Sequence, residues 1–103
     1  MQASVIQLFF KTLLLATLFV FVACETTPPA QEMSDARQAI TVAREAGAAQ
    51  HGAIHLKAAE DYLESARQAL NKGEYHTARR NAKHAKMKAL DALHAAEAAA
   101  AKD

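Results

Sequence analysis

The sequence predicts an all-α protein: a small antiparallel three-helix bundle built on an alanine-rich seam, or a long helical hairpin with a shorter helix packed against it. Beyond residue 33, alanine recurs at spacings of three and four residues, which is the period of one helix face. No proline follows Pro29, and only Gly47, Gly52 and Gly73 interrupt the pattern. Because glycine commonly ends helices and short loops reverse the chain, consecutive helices should run antiparallel.

An apolar leader precedes this helical region and ends at the only cysteine. Lys11 is followed by TLLLATLFVFVAC over residues 12–24. A charged start, an apolar middle and a small residue before the cut are typical of secretory leaders. The segment Phe21–Cys24 (FVAC) resembles the lipobox of bacterial lipoproteins, with phenylalanine where leucine is usual. The resemblance implies signal cleavage between Ala23 and Cys24 and a covalent lipid on Cys24, so residues 1–23 are predicted to be a signal peptide.

The alternative is an uncleaved anchor that spans the membrane. A span needs about 20 apolar residues, and Val5–Ala23 reaches that length only by including Gln7 and Lys11. The place of the lone cysteine, at the end of the run, favours lipidation. Glu25 follows it, and resemblance to lipoprotein sorting rules implies that a residue other than aspartate there directs the protein to the outer membrane, facing the periplasm.

The chain that would remain after cleavage is small and balanced in charge. Roughly 80 residues allow one domain with a modest core, which leaves room for a partner or for a homo-oligomer. Without Lys11, the lysines and arginines equal the aspartates and glutamates in number. A nucleic-acid partner is therefore not expected, and a single cysteine excludes an internal disulfide.

Residues 24–33 are predicted to be a tether that carries the lipid. Pro28 and Pro29 favour extended backbone, and a short linker between lipid and domain is what an anchored protein needs. The helical domain is expected to cover residues 34–103.

Three helices are expected within this domain. The first, at about 34–48, has Ser34 as its N-cap and Asp35 in the first turn, where the helix dipole favours an acid. The second, at about 53–71, stops before Gly73, and the third runs from about 74 to 101. Their apolar seams are Ala36, Ala39, Ile40 and Ala43; Leu56, Ala59, Leu63, Ala66 and Leu70; and Ala78, Ala82, Ala85, Ala89, Ala92 and Ala96.

Several motifs resemble known families. The segment ARQAI at 36–40 recurs as ARQAL at 66–70. The run Gly73–Ala78 resembles the turn of a tetratricopeptide repeat, over one hairpin only. Over Ser34–Ala92 the chain resembles the DUF4398 family of short Gram-negative envelope lipoproteins. The matching motifs are ARQAI at 36–40, AGA at 46–48, LKAA at 56–59 and ALNKGEYHTA at 69–78, whereas HGA at 51–53 replaces the family's usual Tyr-Ala-Pro. The resemblance implies a helical fold in the cell envelope, and the family has no established activity.

Neither an enzyme nor a metal site is expected. His51 and His55 are four residues apart, but Gly52 lies between them and no cysteine or matched carboxylate cluster joins them. The other histidines, His76, His84 and His94, are spread along the third helix. The chain contains no nucleophile–base pair, phosphate-binding glycine loop or paired-carboxylate motif. No cofactor is expected beyond the covalent lipid on Cys24.

Charge separates along the chain. Residues 25–64 hold seven acids and three bases, whereas residues 65–103 hold eight bases and four acids. This predicts a candidate interaction stripe on the third helix, formed by Arg79, Arg80, Lys83, Lys86 and Lys88. Either the stripe pairs with Glu60, Asp61 and Glu64 across the hairpin or stays solvated, or it faces an anionic partner such as lipid phosphates, lipopolysaccharide or an acidic protein.

Together these observations predict a non-enzymatic structural or protein-interaction module of the cell envelope, held to the outer membrane by its lipid. One alternative is a wall tether similar to the small murein lipoprotein, which is also alanine-rich and ends in a lysine joined to peptidoglycan. Here Asp103 follows Lys102, and the glycines interrupt a continuous coiled coil. A metal-handling module built on the histidines is the other alternative.

Overall fold

A computed structural model describes residues 4–13 and 27–102, and its regular structure there is entirely helical. Helix α1 is described over 4–13. It is followed by α2 (Ala30–Glu45), the single turn α3 (Ala48–His51), α4 (Ala53–Asn71) and α5 (Tyr75–Ala101). The all-α prediction is therefore confirmed.

Helices α2, α4 and α5 pack together as an elongated bundle. A short turn joins α4 to α5, and these two helices share the largest contact of the fold. Glu32, near the start of α2, contacts Arg79, near the start of α5, whereas Arg44, near the end of α2, contacts Glu60 in α4. Helix α2 is therefore parallel to α5 and antiparallel to α4, which is the predicted up-down-up order.

Alanine forms most of the core. Of the fifteen buried apolar residues in the described part of the chain, twelve are alanine, and the larger ones are Met33, Ile40 and Leu56. All six seam alanines predicted for the third helix are buried, none with more than 1% of its surface exposed. On this buried face α5 contributes only methyl groups, which lets its axis approach the neighbouring helices closely.

The seam of α4 differs from its prediction at one place. Leu56, Ala59 and Ala66 are buried as expected, but Ala69 is buried where Leu70 was expected, and Leu70 is half-buried. Leu63 is also half-buried and packs at the edge of two core clusters. Three alanines and Leu56 thus form the buried line of α4, whereas Leu63 and Leu70 lie at its edges.

The first helix of the bundle begins earlier than predicted. Helix α2 starts at Ala30 with Pro29 as its N-cap residue, so Ser34 lies inside the helix and caps nothing. Proline is well suited to a helix start, because its φ angle is already near the helical value and its missing N–H would have no partner there. Pro29 and Met33 are also fully buried. The second half of the predicted tether therefore belongs to the folded domain.

The same helix also ends earlier. Helix α2 stops at Glu45, and Gly47 has φ +92°, in the left-handed region that glycine adopts without strain. Ala48, predicted as the last residue of this helix, is instead the buried first residue of α3. The second helix occupies 53–71 as predicted, and the third begins at Tyr75, one residue later than expected.

Helix α3 brings Gly52 against α5. A β-carbon built on Gly52 would lie 2.6 Å from the carbonyl oxygen of Ala92 and 3.1 Å from its α-carbon. The neighbouring Ala48 is fully buried. Gly52 therefore allows two backbones to touch, a role that its place in the sequence, as an apparent helix break, does not reveal.

Helix α1 leaves its apolar side chains in solvent. Its large apolar residues are between 56% and 73% exposed: Val5, Ile6, Leu8, Phe9, Phe10 and Leu13. The predicted cleavage and lipidation residues, Ala23 and Cys24, lie outside the described residues, as does Glu25. Within residues 4–13 and 27–102, no helix combines the length and the apolar character that a bilayer crossing requires.

Candidate functional site

The five bases of the predicted stripe on α5 have different surroundings in the structure. Arg80 and Lys83 are exposed on the side of α5 that faces away from the bundle, and Lys86 lines the groove between α2 and α5. Lys88 is half-buried, and its Nζ lies 3.8 Å from Asp91 one turn further along the helix. Helical periodicity predicts that these residues lie on one helix. It does not show which side chains of the neighbouring helices each of them contacts.

Arg79 binds the beginning of the bundle. Its Nε donates to Oε1 of Glu32 at 3.1 Å, and its Nη2 donates to the carbonyl oxygen of Thr27 at 3.1 Å. Only 25% of the Arg79 side chain and 27% of the Glu32 side chain are exposed. Arg79 therefore joins α5 to α2 and to the residues just before α2.

Of the alternatives for the stripe, pairing with the acids of α4 is not the one that the described residues show. Glu60 instead pairs with Arg44 from α2, while Asp61 and Glu64 pair within their own helix, with Lys57 and Arg67. The bases of α5 are thus left without these counter-ions. In the described part of the chain, Arg80, Lys83 and Lys86 make no hydrogen bond or ion pair.

Four exposed residues form what we call the α5 outer face: His76, Arg80, Lys83 and Met87. Their spacing of four, three and four residues places them on one side of the helix. With Arg79 and His84 they line a shallow depression of about 350 Å³ that contains no carboxylate. His84 stacks on Tyr62 of α4, with ring centroids 5.2 Å apart. The side chain of Met87 is 63% exposed, so the surface is cationic with an apolar side chain at one end.

A second charged surface, between α2 and α4, was missed in the sequence. A groove of about 510 Å³ is lined by Arg37, Arg44 and Arg67, with Glu60 and Glu64 beside two of them. The repeated segments at 36–40 and 66–70 contained the signal. In both copies the alanine is fully buried and the following arginine lines this groove, so the repeat marks equivalent positions on two facing helices.

The third surface is more apolar. Between α2 and α5, Val42, Leu90 and Leu93 line a groove of about 210 Å³, with Asp35 and Lys86 among its polar residues. Val42 is 41% exposed and Leu90 37%. Lys86 lies one turn after Lys83 on α5 and borders this groove, whereas Arg80 and Lys83 border the depression on the outer side of the helix.

The histidines do not converge. His51 and His55 line a shallow surface at the α3–α4 junction, and His76 and His84 line the depression on α5. No group of three histidine, cysteine or acidic side chains suited to a metal ion occurs within residues 4–13 and 27–102. The groups that the described surface exposes include guanidinium and ammonium groups, such as those of Arg80 and Lys83.

Comparison with known proteins yields one family. A family model described as "Domain of unknown function (DUF4398)" matches residues 31–103, which begins one residue after the start of α2. No curated protein and no solved structure shows significant similarity to the chain.

Proposed function

We propose that this chain, which belongs to the DUF4398 family, is a lipid-anchored module of the cell envelope. In this proposal Cys24 carries the lipid after removal of residues 1–23, and the bundle faces the periplasm from the outer membrane. Its role is non-enzymatic: it is a structural or interaction module that binds an anionic component of the envelope, which is lipid phosphate, lipopolysaccharide or an acidic protein.

The observation that carries the proposal is the exposure of α1. Six large apolar side chains of this helix face solvent, although burying one such side chain is worth about 1.5–3 kcal/mol. A segment that is part of a soluble fold would be expected to pack, whereas a leader removed by a peptidase has no need to. The sequence Ala23-Cys24 beyond it supplies the chemistry of a lipobox.

Exposed cations support the interaction role. Arg80 and Lys83 lie on the α5 outer face and have no counter-ion within the described residues. A guanidinium and an ammonium group one turn apart suit phosphate or carboxylate groups of a partner.

Processing of Cys24 provides the first test. The wild-type chain should lose its leader and fractionate with the outer membrane, whereas a Cys24→Ser chain should keep the leader and its full mass. Globomycin, which blocks the lipoprotein signal peptidase, should produce the same unprocessed species from the wild type. Unchanged size and fractionation in both experiments would refute the anchor.

Crosslinking in intact cells tests the interaction. A photoreactive residue at position 83, on the α5 outer face, should give specific adducts with an envelope component. The matched control is a photoreactive residue at position 68, which is exposed on α4 near the same end of the bundle. Equal adducts from the two positions would show that the cations of the α5 outer face do not select a partner.

The wall-tether alternative stays a prediction. It requires peptidoglycan fragments joined to Lys102, which mass spectrometry of a cell-wall digest would detect. Their absence would refute the alternative.

A further inference from the structure

The contact between Arg79 and Thr27 determines where a tether would leave the bundle. Pro29 and Met33 are fully buried, and the carbonyl of Thr27 is held by the guanidinium of Arg79. The chain before α2 therefore departs from one defined place, beside the first turns of α5. Arg79 lines the same depression as the α5 outer face, so the exit and the unpaired cations lie together.

Chain length then limits the distance to a membrane. Cys24 is three residues before Thr27, and three residues span at most about 10 Å when fully extended. The Debye length at physiological ionic strength is about 8 Å. If Cys24 carries a lipid, the tether therefore keeps the headgroups within a distance of Thr27 that is comparable with the Debye length, and Arg80 and Lys83 can approach their phosphates.

We propose that the α5 outer face docks on the phosphate headgroups of the bilayer to which the lipid attaches the protein, so that the bundle lies against the membrane. This inference rests on the lipidation of Cys24 stated above. Arg80 and Lys83 would meet phosphate oxygens, and Met87 would enter the interfacial region as an apolar side chain. Phospholipid is favoured over an acidic protein because the tether places it at this face without any further partner.

The test places a thiol-reactive fluorophore on the mature lipidated protein in vesicles of phosphatidylcholine with phosphatidylglycerol. Met87→Cys reports from the α5 outer face, and Gln68→Cys, on exposed α4, is its matched control. Spin labels on the lipid headgroups should quench the fluorophore at 87 strongly and the one at 68 weakly. Equal quenching at the two positions would overturn the docking.

Charge removal identifies the groups responsible. Each cation near an anionic surface is worth about 1 kcal/mol, so Arg80→Gln with Lys83→Gln should lower the ratio of docked to undocked protein roughly 30-fold. Arg37→Gln with Lys57→Gln removes the same charge from exposed positions on α2 and α4 and should change little. An equal effect of the two pairs would show that net charge, and not this face, is what binds, and would overturn the proposal.

Failure of the anchor and failure of the docking are distinguishable. The parent protein has one cysteine, so dye uptake by the parent would show that Cys24 is free and would overturn both. A parent that takes up no dye and has the mass of the lipidated form, combined with equal quenching at 87 and 68, would overturn the docking alone.

Discussion

Gly52 contacts α5 through its backbone, and this makes it the residue least tolerant of a side chain. We predict that Gly52→Ala lowers the free energy of unfolding by about 1–3 kcal/mol, because the added β-carbon would lie 2.6 Å from the carbonyl oxygen of Ala92. Backbone atoms cannot move aside as a flexible side chain can. Thermal unfolding followed by circular dichroism measures the change.

Gly73 is the matched control for that substitution. It has φ +76°, and a β-carbon added there would meet no atom within 4 Å. It ends α4 by donating to Leu70 while Glu74 donates to Ala69. Gly73→Ala should therefore cost about 1–2 kcal/mol through backbone strain alone. Gly73→Asn should recover part of this loss, because asparagine tolerates left-handed backbone. Recovery by Gly52→Asn would contradict the steric explanation for Gly52.

The pair between Arg79 and Glu32 should couple more strongly than the other ion pairs. Its side chains are about a quarter exposed, whereas those of Lys57 and Asp61 are 76% and 68% exposed. We expect a double-mutant cycle with Arg79→Met and Glu32→Gln to give a coupling energy of about 1 kcal/mol. The cycle with Lys57→Met and Asp61→Asn should give a value near zero. Equal coupling in the two cycles would contradict the burial argument.

At the scale of elements, the alanine seam sets how closely α5 approaches its neighbours. Ala89 is fully buried, and Leu90, the next residue, is 37% exposed. Ala89→Leu should destabilise the bundle by about 1–3 kcal/mol, because the extra carbons have no space between packed axes. Leu90→Ala should cost less than about 1 kcal/mol, since its side chain lies at the edge.

Chemical denaturation measures both variants. The m-value depends on the surface that becomes exposed on unfolding. A lower m-value for Ala89→Leu would therefore indicate that the helices are already partly separated in the folded state. If Leu90→Ala were the more damaging change, the alanine seam would not be the main contact of α5.

The three helices also show which local signals are reliable. The spacing of the alanines along α5 predicted every buried position of that helix. In a long helix without interruption, a regular spacing of small apolar residues defines a single face that can be buried. The start of α2 differs from its prediction because Ser34 is a good cap, whereas Pro29 and Met33 are buried in the structure, Met33 with Ala66 of α4 and Ala82 of α5. Burying these two residues stabilises the helix start more than a capping hydrogen bond would. This burial cannot be recognised from the local sequence.

For the whole molecule, residues 1–23, the proposed leader, should contribute little to the stability of the bundle. The described side chains of α1 are exposed, so removal of residues 1–23 from a Cys24→Ser chain should leave the melting temperature of the bundle unchanged in the same detergent. Calorimetry of the full and shortened chains makes the comparison. A drop of several degrees on removal would show that α1 packs on the bundle and would weaken the case for a leader.

The candidate site was only partly predictable. The sequence identified the five bases of α5, but Arg79 pairs with Glu32 and Lys88 with Asp91, and the other three have no ion-pair partner among residues 4–13 and 27–102. It missed the arginines between α2 and α4, although the repeat of ARQA pointed to them. Partners of surface charges depend on distances between helices, and these are set by packing.

By itself, the sequence determined the helical class, the number of bundle helices and the seam of α5, because periodic small apolar residues and glycine stops act within each segment. Only the tertiary structure decided that Gly52 is a contact, that the bundle begins at Pro29, and that Arg79 holds Thr27 beside the α5 outer face. Each of these joins residues far apart in the chain, and such contacts depend on how closely alanine-lined helices approach in space.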